Sequence, residues 1–83
     1  MNVEITERAS KDFKKLDRSV KKQVKEALEK LDDFPDLTDV KQLKGSPKRY
    51  RLRVGNWRII FCVDWEKNVL TVLTINHRKK VYR

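Results

Sequence analysis

From Arg49 to Arg58 the chain reads Arg-Tyr-Arg-Leu-Arg-Val-Gly-Asn-Trp-Arg, so arginines alternate with apolar residues as far as a Gly-Asn pair. A guanidinium presents a planar fork of N–H donors that fits two phosphate oxygens, a match a lysine ammonium cannot make. Arginines at every second position of an extended segment share one face, and such a face suits a phosphodiester. A second basic group, Arg78, Lys79, Lys80 and Arg83, surrounds Tyr82. Its phenol ring could stack on a nucleobase, a contact worth about 1–3 kcal/mol and tolerant of base identity.

Other reactive side chains offer less. His77, the only histidine, falls on the core side of its strand or at its rim, which favours a structural role. Cys62 lies inside an apolar run, where a thiol ordinarily packs, although the hairpin register turns it toward the arginines. A single cysteine leaves neither a disulfide framework nor a set of zinc ligands. A Ser-His-Asp set, paired carboxylates at a site and a Gly-rich phosphate loop are all missing from the sequence.

The elements that must position the arginines follow from periodicity. Gly55-Asn56 suits a two-residue hairpin loop, which sets Val54 opposite Trp57, Arg53 opposite Arg58, Leu52 opposite Ile59 and Tyr50 opposite Phe61. The apolar pairs belong to a core. Two like charges facing each other cost about 0.2–1 kcal/mol, so the Arg53/Arg58 pair suggests an anion between them. Upstream, Asn2 to Ile5 reads as a strand and Thr6 as a helix cap. A first helix over Glu7 to Leu16 carries Ala9, Phe13 and Leu16 at helical spacing. Asp17 or Ser19 then starts a second, with Val20, Val24, Ala27, Leu28 and Leu31 in one stripe, ended by Asp32, Asp33 and Pro35. Asp36 to Pro47 reads as a connection anchored by Val40 and Leu43, with Gly45-Ser46-Pro47 as its punctuation. Ile59 to Val63 reads as a central strand, and the last strand runs from Val69 to about His77. A five-residue loop, Asp64 to Asn68, would send Val69, Thr71, Leu73 and Ile75 to the core. It would send Leu70, Val72, Thr74, Asn76 and Arg78 to the face of Arg53 and Arg58. The predicted class is α+β, with order β-α-α-β-β-β and a helical hairpin on one face of a small, mostly antiparallel sheet.

At 83 residues the chain is expected to form one domain, 1–83, with a modest core and little room for a large cavity. The formal net charge of +9 implies polyanionic partners such as RNA, DNA or an acidic protein. No apolar stretch has the length to span a bilayer, the first residues show no signal-peptide pattern, and the lone cysteine fits a reducing setting. The reading is a cytoplasmic protein.

Three stretches together resemble the RelE/ParE superfamily of toxins from bacterial and archaeal toxin-antitoxin systems. They are Lys41-Gln42-Leu43-Lys44-Gly45, Tyr50 to Phe61, and Asn76 to Arg83 with its Arg78-x-x-x-Tyr82 arrangement. The closing arrangement is more similar to the RelE branch, whose members cleave messenger RNA in the ribosomal A site, than to the ParE branch, which poisons DNA gyrase. The resemblance implies a metal-independent endoribonuclease without a cofactor, in which a ribose 2′-hydroxyl attacks the adjacent phosphate. It implies that Arg58 and Arg78 bind the scissile phosphate and that Tyr82 stacks on the substrate base. Arg51 and Arg53 stand where well-studied relatives carry lysines, and Arg49, Lys79, Lys80 and Arg83 would be auxiliary phosphate contacts. Arginine is a poor general base compared with lysine, so the resemblance does not identify the base, and Tyr82 or Arg51 are only candidates for that role. The resemblance also implies a RelB-like antitoxin, a small acidic or amphipathic protein. The alternatives are a ParE-like gyrase inhibitor and a non-enzymatic basic nucleic-acid-binding module.

Overall fold

The computed structural model describes residues 1–77. Strand β1 (Asn2–Ile5) leads into helix α1 (Glu7–Lys14) through Thr6, whose backbone is extended and whose hydroxyl accepts from the Ala9 N–H at 3.1 Å. That bond satisfies one of the amides that a first helical turn leaves without a partner. Asp17 does the same for helix α2 (Arg18–Lys30), its Oδ1 accepting from the Val20 N–H at 2.9 Å. A single 3-10 turn, Leu31–Asp33, closes α2 at the predicted stop.

Among the described residues five strands form one sheet in the order β1-β5-β4-β3-β2, with β2 Val40–Gln42, β3 Arg49–Val54, β4 Trp57–Asp64 and β5 Val69–His77. β1 runs parallel to β5 and every other neighbouring pair is antiparallel. The α+β class therefore stands, with one strand more than predicted. The extra strand is β2, read from sequence as part of a connection. Three residues carry too little alternation to register as a strand, but Val40 pairs with Leu52 and Gln42 with Tyr50, which makes β2 an edge strand.

Both helices cover one face of the sheet. Ala9, Leu16, Val24 and Leu31 from the helical layer pack with Leu52, Ile59, Phe61, Val63, Leu70, Val72 and Ile75 in a single buried cluster. Phe34 closes one end, edge-on to Tyr50 at 5.0 Å and to Phe61 at 5.4 Å, while Tyr50 and Phe61 stack at 5.6 Å. Trp65, half exposed in the following turn, lies tilted over Phe34 at 5.6 Å.

The β4-β5 connection departs from expectation. Asp64 pairs with Val69, so the loop has four residues, and the Asp64 Oδ1 accepts from the Lys67 N–H at 3.1 Å inside the turn. Asn68 takes the left-handed conformation at φ 58°, a conformation asparagine tolerates better than most residues. The shorter loop inverts the predicted parity over the first half of β5. Leu70 and Val72 are fully buried in the core, and Thr71 lies opposite Cys62 on the other face. A register shift between Ile60 and Phe61 then skips Leu73 on β5. This bulge restores the predicted parity, with Ile75 in the core and Thr74 and Asn76 on the arginine face.

The backbone of the bulge is held by the helical layer. β1 pairs with β5 only as far as Val72, and there the Thr6 N–H donates to the Val72 carbonyl at 3.0 Å. The Thr6 hydroxyl donates to the Leu73 carbonyl at 2.9 Å, and the Ile75 N–H donates to the Asp12 carboxylate at 3.1 Å. Among the described residues no strand lies beside this half of β5, and Asp12 supplies a side-chain acceptor in its place.

Candidate phosphate-binding face

The hairpin forms in the predicted register: Val54 with Trp57, Arg53 with Arg58, Leu52 with Ile59, Arg51 with Ile60, Tyr50 with Phe61 and Arg49 with Cys62. Gly55 adopts φ 58° and Asn56 does not share a positive φ, the pattern of a II′ turn. A two-residue loop makes Val54/Trp57 a hydrogen-bonded pair, so Arg53/Arg58 is a non-hydrogen-bonded pair. Such pairs bring Cα atoms to about 4.5 Å and side chains closer than in the alternate kind. The two arginines are thereby held side by side on the face opposite the helices.

Continued across the sheet, the register arranges this face in rows. One row runs Arg53, Arg58, Asn76 and the next runs Lys41, Arg51, Ile60, Thr74. The Asn76 side-chain amide donates to the Thr74 hydroxyl at 3.2 Å, joining the two rows at their β5 end. Ile60 is buried although it points away from the helices, as the central strand's apolar run predicted. Arg51 flanks it across β3, half-buried, and its Nε is buried with no hydrogen-bond partner among the described residues. A long basic side chain can lay its stem on apolar surface and keep its head toward water. Here an inner donor of that head is left open, and a buried donor without an acceptor costs about 1–3 kcal/mol. A phosphate oxygen is an acceptor of suitable charge for it.

Arg51, Arg53 and Arg58 are therefore brought together, with Arg49 exposed one row further on. Arg78, Lys79, Lys80, Tyr82 and Arg83 lie outside the described residues. His77 sits on the other side of β5, opposite Trp57, its ring edge-on to the indole at 5.1 Å. It borders a concavity with Arg8, Asp12 and Lys15 on the helical side. Cys62 is a free, partly exposed thiol on the arginine face. One residue of the basic face was not singled out from sequence. Lys41 belongs to β2, pairs with Arg51 and lines a concavity of about 300 Å³ with Asp39, Val40, Arg51 and Arg53. Lys41 stood in the sequence only as the first residue of the Lys41 to Gly45 stretch, because one apolar residue followed by two polar ones marks no strand face.

The helical side carries a different surface. Ile5, 51% exposed, opens a groove of about 480 Å³ continued by Ala9, Phe13, Leu28 and Ile75 and flanked by Lys14 and Lys25. No helix among the described residues is long and apolar enough to cross a membrane.

Comparison with known proteins agrees with this geometry. The family of ParE toxins of type II toxin-antitoxin systems matches residues 3–82. A protein of Methanocaldococcus jannaschii described as a candidate toxin, RelE1, is 38% identical over 85 aligned positions, covering 99% of this chain and 94% of that protein. The mRNA interferase toxin RelE of Escherichia coli K12 is 30% identical over 80 positions, covering 94% of this chain and 83% of the relative. Among solved structures, the toxin of the RelB-RelE antitoxin-toxin complex from Methanococcus jannaschii superposes with a TM-score of 0.81 at 28% identity, covering 95% of this chain and 94% of that one. The match extends through both helices, the hairpin and β5, and on it the chain belongs to the RelE/ParE superfamily of toxins of type II toxin-antitoxin systems.

Proposed function

We propose that this toxin is a ribosome-dependent endoribonuclease that cleaves messenger RNA in the A site without a metal ion. The observation that carries the reading is the closely paired Arg53 and Arg58 beside Arg51, three guanidiniums on one open sheet face. In the reaction a ribose 2′-hydroxyl attacks the adjacent phosphorus and leaves a cyclic phosphate and a 5′-hydroxyl. Arg58 and Arg78 bind the scissile phosphate and meet the charge that grows on it. Arg51 and Arg53 orient the strand, and Arg49, Lys79, Lys80 and Arg83 hold neighbouring phosphates. Tyr82 stacks on the base. Most of the rate then comes from positioning and from donors already aimed at the developing charge, contributions that need no bound metal. The ribosome supplies the messenger in a presented conformation, which suits an open face better than a deep cleft would.

The partner in this reading is a RelB-like antitoxin, supported by the RelB-bound state of the Methanococcus jannaschii toxin. An amphipathic acidic segment would find both apolar contacts in the groove at Ile5, Phe13 and Leu28 and cationic rims at Lys14 and Lys25.

Primer extension on ribosome-bound messenger after expression tests the cleavage. Cuts are expected with the wild type and should disappear when Arg58→Ala is combined with Arg78→Ala. A second reading has one observation in its favour, the match to the ParE family, and predicts gyrase inhibition instead. Inhibited supercoiling by purified gyrase with no cuts in messenger would replace the first reading with the second.

A further inference from the structure

Cleavage by a 2′-hydroxyl requires an acceptor for its proton. Arg51 and Arg53 can hold a phosphate but are poor acceptors, because a guanidinium keeps its proton across the pH range in which proteins stay folded. The strand beside them supplies another candidate. The pairing of Lys41 with Arg51 places the lysine on the arginine face. Ladder bonds on either side, Leu43 N–H to the Arg49 carbonyl at 2.9 Å and Arg53 N–H to the Asp39 carbonyl at 3.0 Å, make Lys41/Arg51 a hydrogen-bonded pair. Its Cα atoms are then about 5.5 Å apart, within easy reach for two long side chains. Lys41, Arg51 and Arg53 line the same concavity.

From this juxtaposition we infer that Lys41 is the general base of the cleavage, an inference that rests on the endoribonuclease reading. Its neutral amine takes the 2′-hydroxyl proton, and the freed oxygen pair forms the new bond to phosphorus. The bond from phosphorus to the 5′-oxygen breaks, and that oxygen leaves with the electron pair and takes a proton from solvent water. The ammonium then returns its proton to the hydroxide so formed. Lys41 is faced by Arg51, with Arg49 and Arg53 diagonal to it on β3, Arg58 beyond on β4 and Asp39 on its own side of the concavity; among the described residues β2 is the last strand of the sheet. Asp39 is the other proton acceptor there, but its carboxylate would have to approach a phosphate of like charge. A lysine repels the phosphate in neither protonation state.

The test compares single-turnover cleavage of ribosome-bound messenger by the full chain and its Lys41→Arg and Lys41→Met variants. General-base assistance is typically worth 10²–10⁴-fold, so both variants should cleave at least about a hundredfold more slowly between about pH 6 and 9. The rise of rate with pH should flatten in Lys41→Arg, while its affinity for the ribosome complex changes less than about threefold because the charge is kept. Lys41 is exposed on an edge strand, and thermal melts of both variants should match the wild type. Cleavage by Lys41→Arg within about threefold of wild type overturns the assignment. So does a slower rate with an unchanged pH profile, which would make Lys41 a positioning residue, or a loss found in Asp39→Asn and not in Lys41→Arg. Wild-type cleavage leaves the endoribonuclease reading standing in all three cases, whereas a wild type that cuts no messenger overturns both.

Discussion

Replacing Asp12 by alanine should destabilise the fold through one backbone amide. The Asp12 carboxylate accepts from the Ile75 N–H at 3.1 Å, and Ile75 is only 3% exposed, so removing the acceptor leaves that amide with poor access to water. A buried donor left alone costs about 1–3 kcal/mol. Two smaller effects modify the sum. Alanine is the better helix former by at most about 0.7 kcal/mol. The Arg8 pair that is lost spans 3.9 Å with Arg8 71% exposed, and pairs of that kind contribute about 0–1 kcal/mol. The net loss is about 1–2 kcal/mol, and in a chain of this size each kcal/mol moves the melting temperature by about 4–8 °C. Thermal denaturation followed by circular dichroism should therefore show a fall on the order of 10 °C for Asp12→Ala. Asp12→Asn keeps a side-chain carbonyl that can accept, and should lose less than half as much. Hydrogen exchange at the Ile75 amide is the direct check, since its protection should fall more than that of the other β5 amides. If Asp12→Ala melts within about 2 °C of wild type, or exchange at Ile75 is unchanged, the claim that Asp12 completes the edge of β5 is wrong.

The remaining predictions concern the opposed arginines and the α2 cap. Arg53→Gln removes a like-charge pair from close quarters, so it should raise stability by about 0.2–1 kcal/mol in low-phosphate buffer while lowering cleavage; loss of both stability and activity would refute the strained-pair account. The Asp17 carboxyl is held below its ordinary value of 3.8, chiefly by accepting the Val20 N–H and then by the Ser19 hydroxyl. The stability it contributes is complete above that ordinary value and disappears as the pH falls through the lower folded one. Asp17→Asn should thus flatten the acid limb of the stability curve and change little at neutral pH, and an acid limb that keeps its slope would count against the cap as its source.

Local pattern carried the hairpin, both helices and the arginine face because each was written within a dozen residues. Period-two alternation, the Gly-Asn pair and the Val20 to Leu31 stripe are short-range signals, and the register from Arg49 to Cys62 followed from them. β2 and the β5 register were not legible on the same terms. Val40-Lys41-Gln42 is a strand only because β3 offers it an edge, so the position of Lys41 depends on pairing and not on its own sequence. Asp12 gave a weak sign, a carboxylate set among Ala9, Phe13 and Leu16 on the inward stripe of α1, where a polar residue needs a partner to be tolerated. Its partner, Ile75, is 63 residues away, and no local pattern points to it.

The bulge at Leu73 explains why β5 resisted a single parity. Its first half must follow Leu70 and Val72 into the core beneath the helices, as the four-residue loop dictates. Its second half must bring Thr74 and Asn76 to the side of Ile60 and Arg58. A strand of unbroken alternation can satisfy one demand and not the other, since shifting by one residue moves every side chain to the opposite face. One extra residue between the halves satisfies both, at the cost of backbone groups that the ladder no longer pairs. Thr6 and Asp12 accept that cost on the helical side, so α1 holds the geometry of a face it never touches. The basic rows are in this sense set from behind, and a substitution at Asp12 should reach Arg58 through the sheet.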